Sequence, residues 1–169
     1  MTDQSHFVEF SKPFILAAKK VFETMVFTKL EPQKPEIKND KIAPGDITAI
    51  LGLNGEVEKN GVKVIYKAML VMSFPYETYF KIAGAMLGET YTSFVPDIHD
   101  VGGEITNMVM GNAKAELQTM GYSTNMAIPS SVEGNKVTLS YPAGTRVVLI
   151  PMNSDHGQFF IELCYKEGE

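Results

Sequence analysis

A chain of 169 residues with 44% hydrophobic and 21% charged residues has the composition of one globular domain rather than of a disordered chain. Its formal net charge of -5 offers no positive field for a phosphate backbone, which argues against nucleic-acid binding. A single cysteine excludes an internal disulfide framework, and no segment has the pattern of a signal peptide or the ~20 apolar residues of a membrane span. We therefore expect a cytoplasmic protein.

The first ten residues are polar with scattered aromatic side chains, and we expect residues 1–10 to be a flexible lead-in to a single domain over residues 11–169. Ser11 and Pro13 then favour a helix start, since serine caps helices and proline fits the first turn. Apolar residues at helical spacing predict a core-facing side for this first helix. They are Ile15, Ala18, Phe22, Met25 and Val26.

Residues 31–44 contain three prolines and mixed charges, which predicts a surface connection or an irregular edge segment. Two antiparallel strands are predicted over residues 45–55 and Val62–Phe74, because both segments are rich in residues that favour strands. Asn60-Gly61 lies between them and is a strong hairpin signal.

A short second helix is predicted from Pro75 to Gly88, since proline suits the start of a helix and glycine its end. Its residues that can face a sheet are Tyr79, Phe80, Ala83, Met86 and Leu87. After a third helix, four strands are predicted over residues 122–132, 136–141, 145–152 and 158–166, with turns typical of a meander. This order predicts an α+β fold in which a largely antiparallel sheet is covered on one face by about three helices, and it suggests an internal duplication.

The third helix, over residues 95–121, is the most informative segment of the chain. Its apolar residues recur with the 3.6-residue period of a core-facing helix. They are Ile98, Val101, Ile105, Val109, Ala113, Leu117 and Met120. Pro96 suits the first turn, and Gly121 is a typical C-terminal stop.

The opposite face of this helix carries residues that could meet a partner. In chain order they are Asp100, Glu104, Asn107, Gly111, Lys114 and Gln118. Asp100 and Glu104 are like charges one turn apart, a repulsion that a cation from outside would relieve. Gly111 costs a helix about 1 kcal/mol relative to alanine but lets another backbone come close. Ordinary solvated residues and a packing glycine would explain the same pattern.

Other kinds of active site find little support. His6, His99 and His156 are scattered, and His99 and Glu104 do not have the i, i+4 spacing of a helical metal-ligand pair. No serine or cysteine accompanies a histidine in a recognisable nucleophile setting, and we expect Cys164 to pack in the last strand. No glycine-rich phosphate loop precedes a helix. The sequence therefore predicts neither a metal site nor a complete active site within this chain.

The segment GGEITNMVMGNAK, residues 102–114, resembles the Glu-x-x-Asn helix of the CheC/CheX/FliY family of chemotaxis phosphatases. Over about residues 12–166 the chain resembles the CheX branch of that family. The other segments that carry the resemblance are GDITAILGLNGEV at 45–57, SFP at 73–75, MLGE at 86–89, GY at 121–122, IP at 128–129 and the closing IPM and GQFFIEL. The first helix has no second Glu-x-x-Asn, which implies one active patch per chain, as in CheX.

This resemblance implies a phosphatase for the aspartyl phosphate of a CheY-type receiver domain, which would supply the Mg²⁺, so that no cofactor of this chain's own is expected. By the same analogy Asn107 orients the attacking water, and Glu104 pairs with the receiver's active-site lysine. The expected partner contacts are Asp100, Gly103, Gly111 and Lys114. The resemblance also implies a homodimer formed through sheet edges. A non-catalytic module that binds or sequesters a phosphorylated receiver would need the same patch.

Overall fold

The computed structural model describes residues 3–168, with side chains for residues 7–168. Within this range the α-helices are α1 (Asp3–Val21), α2 (Tyr76–Leu87) and α3 (Val101–Thr119), with a π-helical turn at Phe22–Val26 and a 3-10 turn at Pro96–Ile98. The strands are β1 (Glu31–Pro32), β2 (Glu36–Lys38), β3 (Ile47–Lys59), β4 (Val62–Phe74), β5 (Tyr122–Met126), β6 (Ser130–Glu133), β7 (Val147–Ser154) and β8 (Gly157–Glu167). They form one antiparallel sheet in the order β1-β7-β8-β4-β3-β5, with β2 also on β7 and β6 also on β3.

Helix α1 begins well before the predicted position. It starts at Asp3, so the helix start predicted at Ser11 is wrong, and residues 3–10 are helical. The remainder of the predicted lead-in, residues 1–2, lies outside the described residues. Pro13 is inside the helix rather than in its first turn.

Aromatic packing explains why α1 continues through a proline. Phe10 is fully buried, and its ring centroid lies 4.5 Å from that of Tyr165 and 5.1 Å from that of Phe14. Burying two phenylalanine side chains contributes roughly 3–6 kcal/mol, whereas an interior proline costs a helix ~3 kcal/mol. The packing of this segment on the sheet therefore outweighs the hydrogen bond that Pro13 cannot donate.

The π-helical turn that ends α1 changes which side chains face inward. Phe22 and Val26 are buried as predicted, whereas Met25, which was predicted to face the core, is 42% exposed. A π-helical turn is wider than an α-helical one, so the 3.6-residue period used for the prediction does not hold there.

The predicted hairpin is confirmed. β3 pairs with β4 in an unbroken register that runs from Ile47 opposite Phe74 to Lys59 opposite Val62. The connecting Asn60-Gly61 pair has φ values of 51° and 79°, the left-handed conformations that a tight two-residue hairpin turn requires. These long strands form the centre of the sheet together with β8.

The strands after α3 depart from the predicted meander. The predicted strand 122–132 is divided into β5 and β6, which both pair with β3. The predicted strand 136–141 is wrong. Among the described residues this segment forms an isolated β-bridge, between Thr138 and Ile42, and no strand. β7 and β8 form a hairpin that joins the other side of the sheet through β4. The strands after α3 therefore lie on opposite sides of the central hairpin, β5 and β6 beside β3 and β8 beside β4.

The predicted irregular edge at residues 31–44 is confirmed, since it contributes the short strands β1 and β2 on β7. The three helices pack on one face of the sheet around the main core, which confirms the predicted α+β fold class. A smaller cluster lies on the opposite face; its buried members are Ala43, Met69, Val71, Leu139, Val147 and Cys164. None of the helices within residues 3–168 has the length and apolar character needed to cross a membrane.

Candidate functional site

Helix α3 is held by the buried stripe that its periodicity predicts. Ile98, Val101, Ile105, Val109, Ala113 and Leu117 are each at most 4% exposed. Helix α1, together with strands β3 and β5, packs against α3. Because this stripe is fixed in the core, the residues on the opposite face of the helix point to solvent.

The opposite face is open, as the sequence predicts. Asp100, Glu104, Asn107, Gly111, Lys114 and Gln118 are all exposed. The side chains of Glu104 and Asn107 form no hydrogen bond or salt bridge with other described residues, while Asn112 on another side of the helix bonds the Met108 carbonyl oxygen at 2.9 Å. A carboxylate and an amide, one helical turn apart, are thus available to a partner.

The N-terminal end of α3 is anchored by Tyr79 of helix α2, a residue that the sequence predicts only as facing the sheet. The Tyr79 hydroxyl donates to the Ile98 carbonyl oxygen at 2.5 Å and accepts from the Gly102 backbone N–H at 3.0 Å. Burial, together with the negative charges of Asp100 and Glu104, raises the pKa of Tyr79 to about 12. The phenol therefore stays neutral and keeps donating at physiological pH.

Gly102 allows this close approach. A Cβ at this position would lie 3.2 Å from the Tyr79 ring, closer than most side chains pack, and 3.8 Å from the Phe74 ring, an ordinary contact. Thr106, one turn later and fully buried, donates from its hydroxyl to the Gly102 carbonyl oxygen at 2.8 Å. The Gly102-Gly103 pair in the sequence was the available signal for such a contact, but the identity of Tyr79 as its partner depends on tertiary structure.

The other predicted contact residues lie in different surroundings. Gly103 is half-buried, and a Cβ there would lie 3.3 Å from the Ser131 hydroxyl oxygen and 3.9 Å from the Pro129 Cβ. At Gly111 a Cβ would meet nothing within 4 Å. Lys114 is ten residues beyond Glu104, about 15 Å along the helix axis. The structure therefore brings Glu104 and Asn107 together and leaves Lys114 about three turns away along the helix.

The remaining candidate groups lie elsewhere. Cys164 packs in β8 as predicted, and burial raises the pKa of its thiol to about 11. His99 Nε2 lies 3.1 Å from the Phe94 carbonyl oxygen, and His156 Nε2 lies 3.2 Å from that of Val26. Within the described part of the chain, no group of three or more histidine, cysteine, aspartate or glutamate side chains could hold a metal ion.

Two open cavities lie away from α3, at the β2 edge of the sheet. Residues 36–40 and 42–44, with Leu149, line one of about 410 Å³, and residues 37–41 and 141–147 line one of about 580 Å³. The exposed face of α3, with Glu104 and Asn107, contributes to neither cavity. The candidate site is therefore an exposed helix face outside both cavities, which suits a protein partner better than an enclosed small molecule.

Residues 47–153 match the model of a family described as chemotaxis phosphatase CheX. A CheC-like superfamily protein from Shewanella sp. PV-4 is 33% identical, with a TM-score of 0.81 over 94% of this chain and 98% of that one. A chemotaxis protein CheX from Desulfovibrio desulfuricans is 31% identical, with a TM-score of 0.80 over 94% of this chain and 99% of that one.

A more distant solved structure is a complex of CheX, CheY, BeF3 and Mg²⁺ from Borrelia burgdorferi. Its matching chain is 22% identical, with a TM-score of 0.71 over 95% of this chain and 98% of that one, so it shows the shared fold. No curated protein sequence matches this chain significantly.

Proposed function

Because this chain belongs to the CheX family of chemotaxis phosphatases, we propose that it accelerates hydrolysis of the aspartyl phosphate of a CheY-type response regulator and so terminates a chemotaxis or two-component signal. The observation that carries the proposal is the placement of Glu104 and Asn107, which are exposed one turn apart on a helix fixed by its own core. The Borrelia complex, whose components include CheY, BeF3 and Mg²⁺, supports a partner of this kind.

Asn107 is assigned the role of orienting the attacking water. Phosphoryl transfer depends mainly on positioning and on neutralising charge, with little covalent work for the protein. A side-chain amide offers both a donor and an acceptor, so it can hold a water in line with the bond to be broken. Attack of that water on phosphorus breaks the bond to the aspartyl oxygen, which leaves the carboxylate and inorganic phosphate.

Glu104 is assigned to docking. Its carboxylate is exposed and would pair with the active-site lysine of the receiver, which sets the position of α3 over the phosphoryl group. The receiver supplies the Mg²⁺ that neutralises the phosphoryl oxygens. Asp100 adds negative charge beside Glu104, and Gly111 leaves room for the partner's backbone.

The test is release of inorganic phosphate from a phosphorylated CheY-type receiver domain in the presence of Mg²⁺, with and without this protein. We expect the Asn107→Ala variant to lose about 100-fold of the acceleration, since positioning of the water is lost. Its binding to the same receiver loaded with beryllofluoride is expected to change little. The matched control is Asn112→Ala, which removes an exposed amide from another side of the same helix.

Two results would contradict the proposal. If Asn107→Ala released phosphate at the wild-type rate, the amide would not orient the water. If the wild-type protein bound the beryllofluoride-loaded receiver but left phosphate release unchanged, the protein would be a non-catalytic module that sequesters the phosphorylated receiver.

A further inference from the structure

Ile128 is an unusually exposed apolar side chain close to the candidate site. It is 89% exposed, the largest value among the large hydrophobic side chains of residues 7–168, ahead of Phe27 at 72%. It lies in the short connection between β5 and β6, residues 127–129. A single exposed isoleucine is common on protein surfaces, so any role for Ile128 depends on where it lies.

The backbone around Ile128 is a bulge in the edge of the sheet. Pairing with β3 stops at Leu53 opposite Met126 and resumes at Ile50 opposite Ser130. Three residues, 127–129, therefore oppose two residues of β3. An extra residue of this kind redirects a side chain, and such bulges occur preferentially at sheet edges and beside active sites.

The backbone is restrained on both sides of Ile128. The Ala127 backbone N–H donates to the Gly52 carbonyl oxygen at 3.1 Å. Pro129 has a fixed φ and no N–H, so it interrupts the row of donors along this edge. The isoleucine is thus presented by a constrained backbone rather than by a loose loop.

The bulge also lies against α3. A Cβ on Gly103 would be 3.9 Å from the Pro129 Cβ and 3.3 Å from the Ser131 hydroxyl oxygen, so the end of the bulge and the start of β6 come close to the helix at this glycine. Glu104 follows Gly103 directly, and Asn107 lies one turn beyond it. Ile128 therefore lies near the Glu104–Asn107 patch, since the next residue, Pro129, approaches the glycine that precedes Glu104.

We propose that Ile128 is the apolar anchor for the receiver domain, and that it packs against apolar side chains that border the receiver's phosphorylated pocket while Glu104 and Asn107 enter that pocket. This inference rests on the proposed function and deepens it. Specific interfaces combine a central apolar contact with polar groups around it, and the exposed face of α3 offers polar groups without such a contact.

A second copy of this chain is the less suitable occupant of this edge. Pairing of edge strands requires an unbroken row of backbone donors and acceptors, and the bulge with Pro129 breaks that row in the middle. A receiver that approaches the Glu104–Asn107 patch meets Ile128 without needing strand pairing.

The experiment compares Ile128→Ser with the wild-type protein and with Ile37→Ser. Ile37 is a matched control because it is 54% exposed and lies on β2, at the other edge of the sheet. We measure phosphate release at increasing concentrations of phosphorylated receiver, and binding of the beryllofluoride-loaded receiver with Mg²⁺. Ile128→Ser is expected to raise the KM and the Kd about tenfold, the factor that corresponds to losing one buried aliphatic side chain, with kcat retained. Ile37→Ser is expected to change neither constant.

Unchanged KM and Kd for Ile128→Ser would overturn the anchor while leaving the phosphatase proposal intact. A shift in oligomeric state on Ile128→Ser, measured by light scattering, would make the residue a contact between copies and would also overturn it. Weaker binding by Ile128→Ser together with no phosphatase activity in the wild type would support the anchor and refute catalysis. Failure of the wild type to bind any CheY-type receiver encoded in the same genome would refute both.

Discussion

At the scale of single residues, Glu104 is the side chain whose charge should contribute most to binding of the receiver. Glu104→Ala is expected to weaken binding of the beryllofluoride-loaded receiver about tenfold at low salt, because an interfacial ion pair is lost. The effect should shrink at 0.5 M salt, since the Debye length is already about 10 Å at 0.1 M and falls further as salt is added. Titration calorimetry at two salt concentrations measures both expectations.

Glu116→Ala is the control for Glu104→Ala. Glu116 is also exposed on α3 but lies about 120° around the helix axis from Glu104. Both substitutions change the net charge by the same amount. An equal loss of binding in the two variants would mean that overall charge, rather than a contact made by Glu104, steers the receiver.

Cys164 should be unreactive in the folded protein. The side chain is 1% exposed, and burial raises the pKa of the thiol to about 11, whereas an ordinary thiol ionises near 8.5. At pH 8 the reactive thiolate is therefore about 100-fold or more scarcer in the native state. Alkylation by iodoacetamide at pH 8, followed by mass spectrometry, should be at least that much slower than in denaturant. Equal rates would show that β8 opens readily.

At the scale of elements, the bond between α2 and α3 through Tyr79 can be tested directly. Tyr79→Phe keeps the ring but leaves the Ile98 carbonyl and the Gly102 N–H without their buried partner. We expect a loss of about 1–3 kcal/mol in the free energy of unfolding, measured by urea titration. The control is Tyr76→Phe in the same helix, whose hydroxyl bonds Glu133 at the surface, and it should change stability little.

The effect of Tyr79→Phe on the free energy of unfolding should depend on pH. The folded state holds the Tyr79 proton up to a pKa of about 12, whereas tyrosine in the unfolded chain ionises near 10. The stabilisation is therefore complete below about pH 10 and is lost as the pH rises towards 12. The stability advantage of the wild type over Tyr79→Phe should narrow over that range. A constant difference between pH 9 and 11.5 would contradict the assignment.

Elements with a strong local pattern were predictable from sequence. The stripe of α3 and the β3–β4 hairpin depend on periodicity and on the Asn60-Gly61 turn, which short-range chemistry encodes. The start of α1 was missed because burial of Phe10 overrides the boundary signal of Pro13. The bulge after β5 was missed because it exists only in relation to β3.

At the scale of the whole molecule, a buried ion pair fastens the β2 edge to the sheet. Lys38 Nζ lies 2.9 Å from Glu162 Oε2, with side chains 7% and 0% exposed, and the Tyr141 hydroxyl donates to the same carboxylate. Burial and this hydrogen bond raise the pKa of Tyr141. Lys38→Met should cost about 3–5 kcal/mol in urea unfolding, because it leaves the Glu162 charge buried without its cation.

The double variant Lys38→Met with Glu162→Leu separates the charge from the packing. Removing both partners should recover most of the stability, since an apolar pair of similar volume avoids the desolvation of two charges. If the double variant were as unstable as Lys38→Met alone, the loss would come from packing around Tyr141 and the β2 edge instead.

The fold class could be predicted from sequence, but the order of the strands in the sheet could not. Strands β5 and β6 join one side of the central hairpin and β7 and β8 the other, so β5, β6 and β8 pair with strands that are distant in the chain. The site was predictable in part: the exposed side of α3 followed from periodicity, while the roles of Glu104 and Asn107 follow from the family and stay predictions, as does the homodimer through sheet edges.

Glu104 and Asn107 bond to nothing else within residues 7–168, whereas the stripe beneath them is shut inside the core. The residues that stabilise the fold and the residues proposed to act on a partner therefore lie on opposite sides of one helix. Under the proposed function, substitutions at these two positions would remove or restore the activity while changing the free energy of unfolding little, because neither side chain contributes to the core.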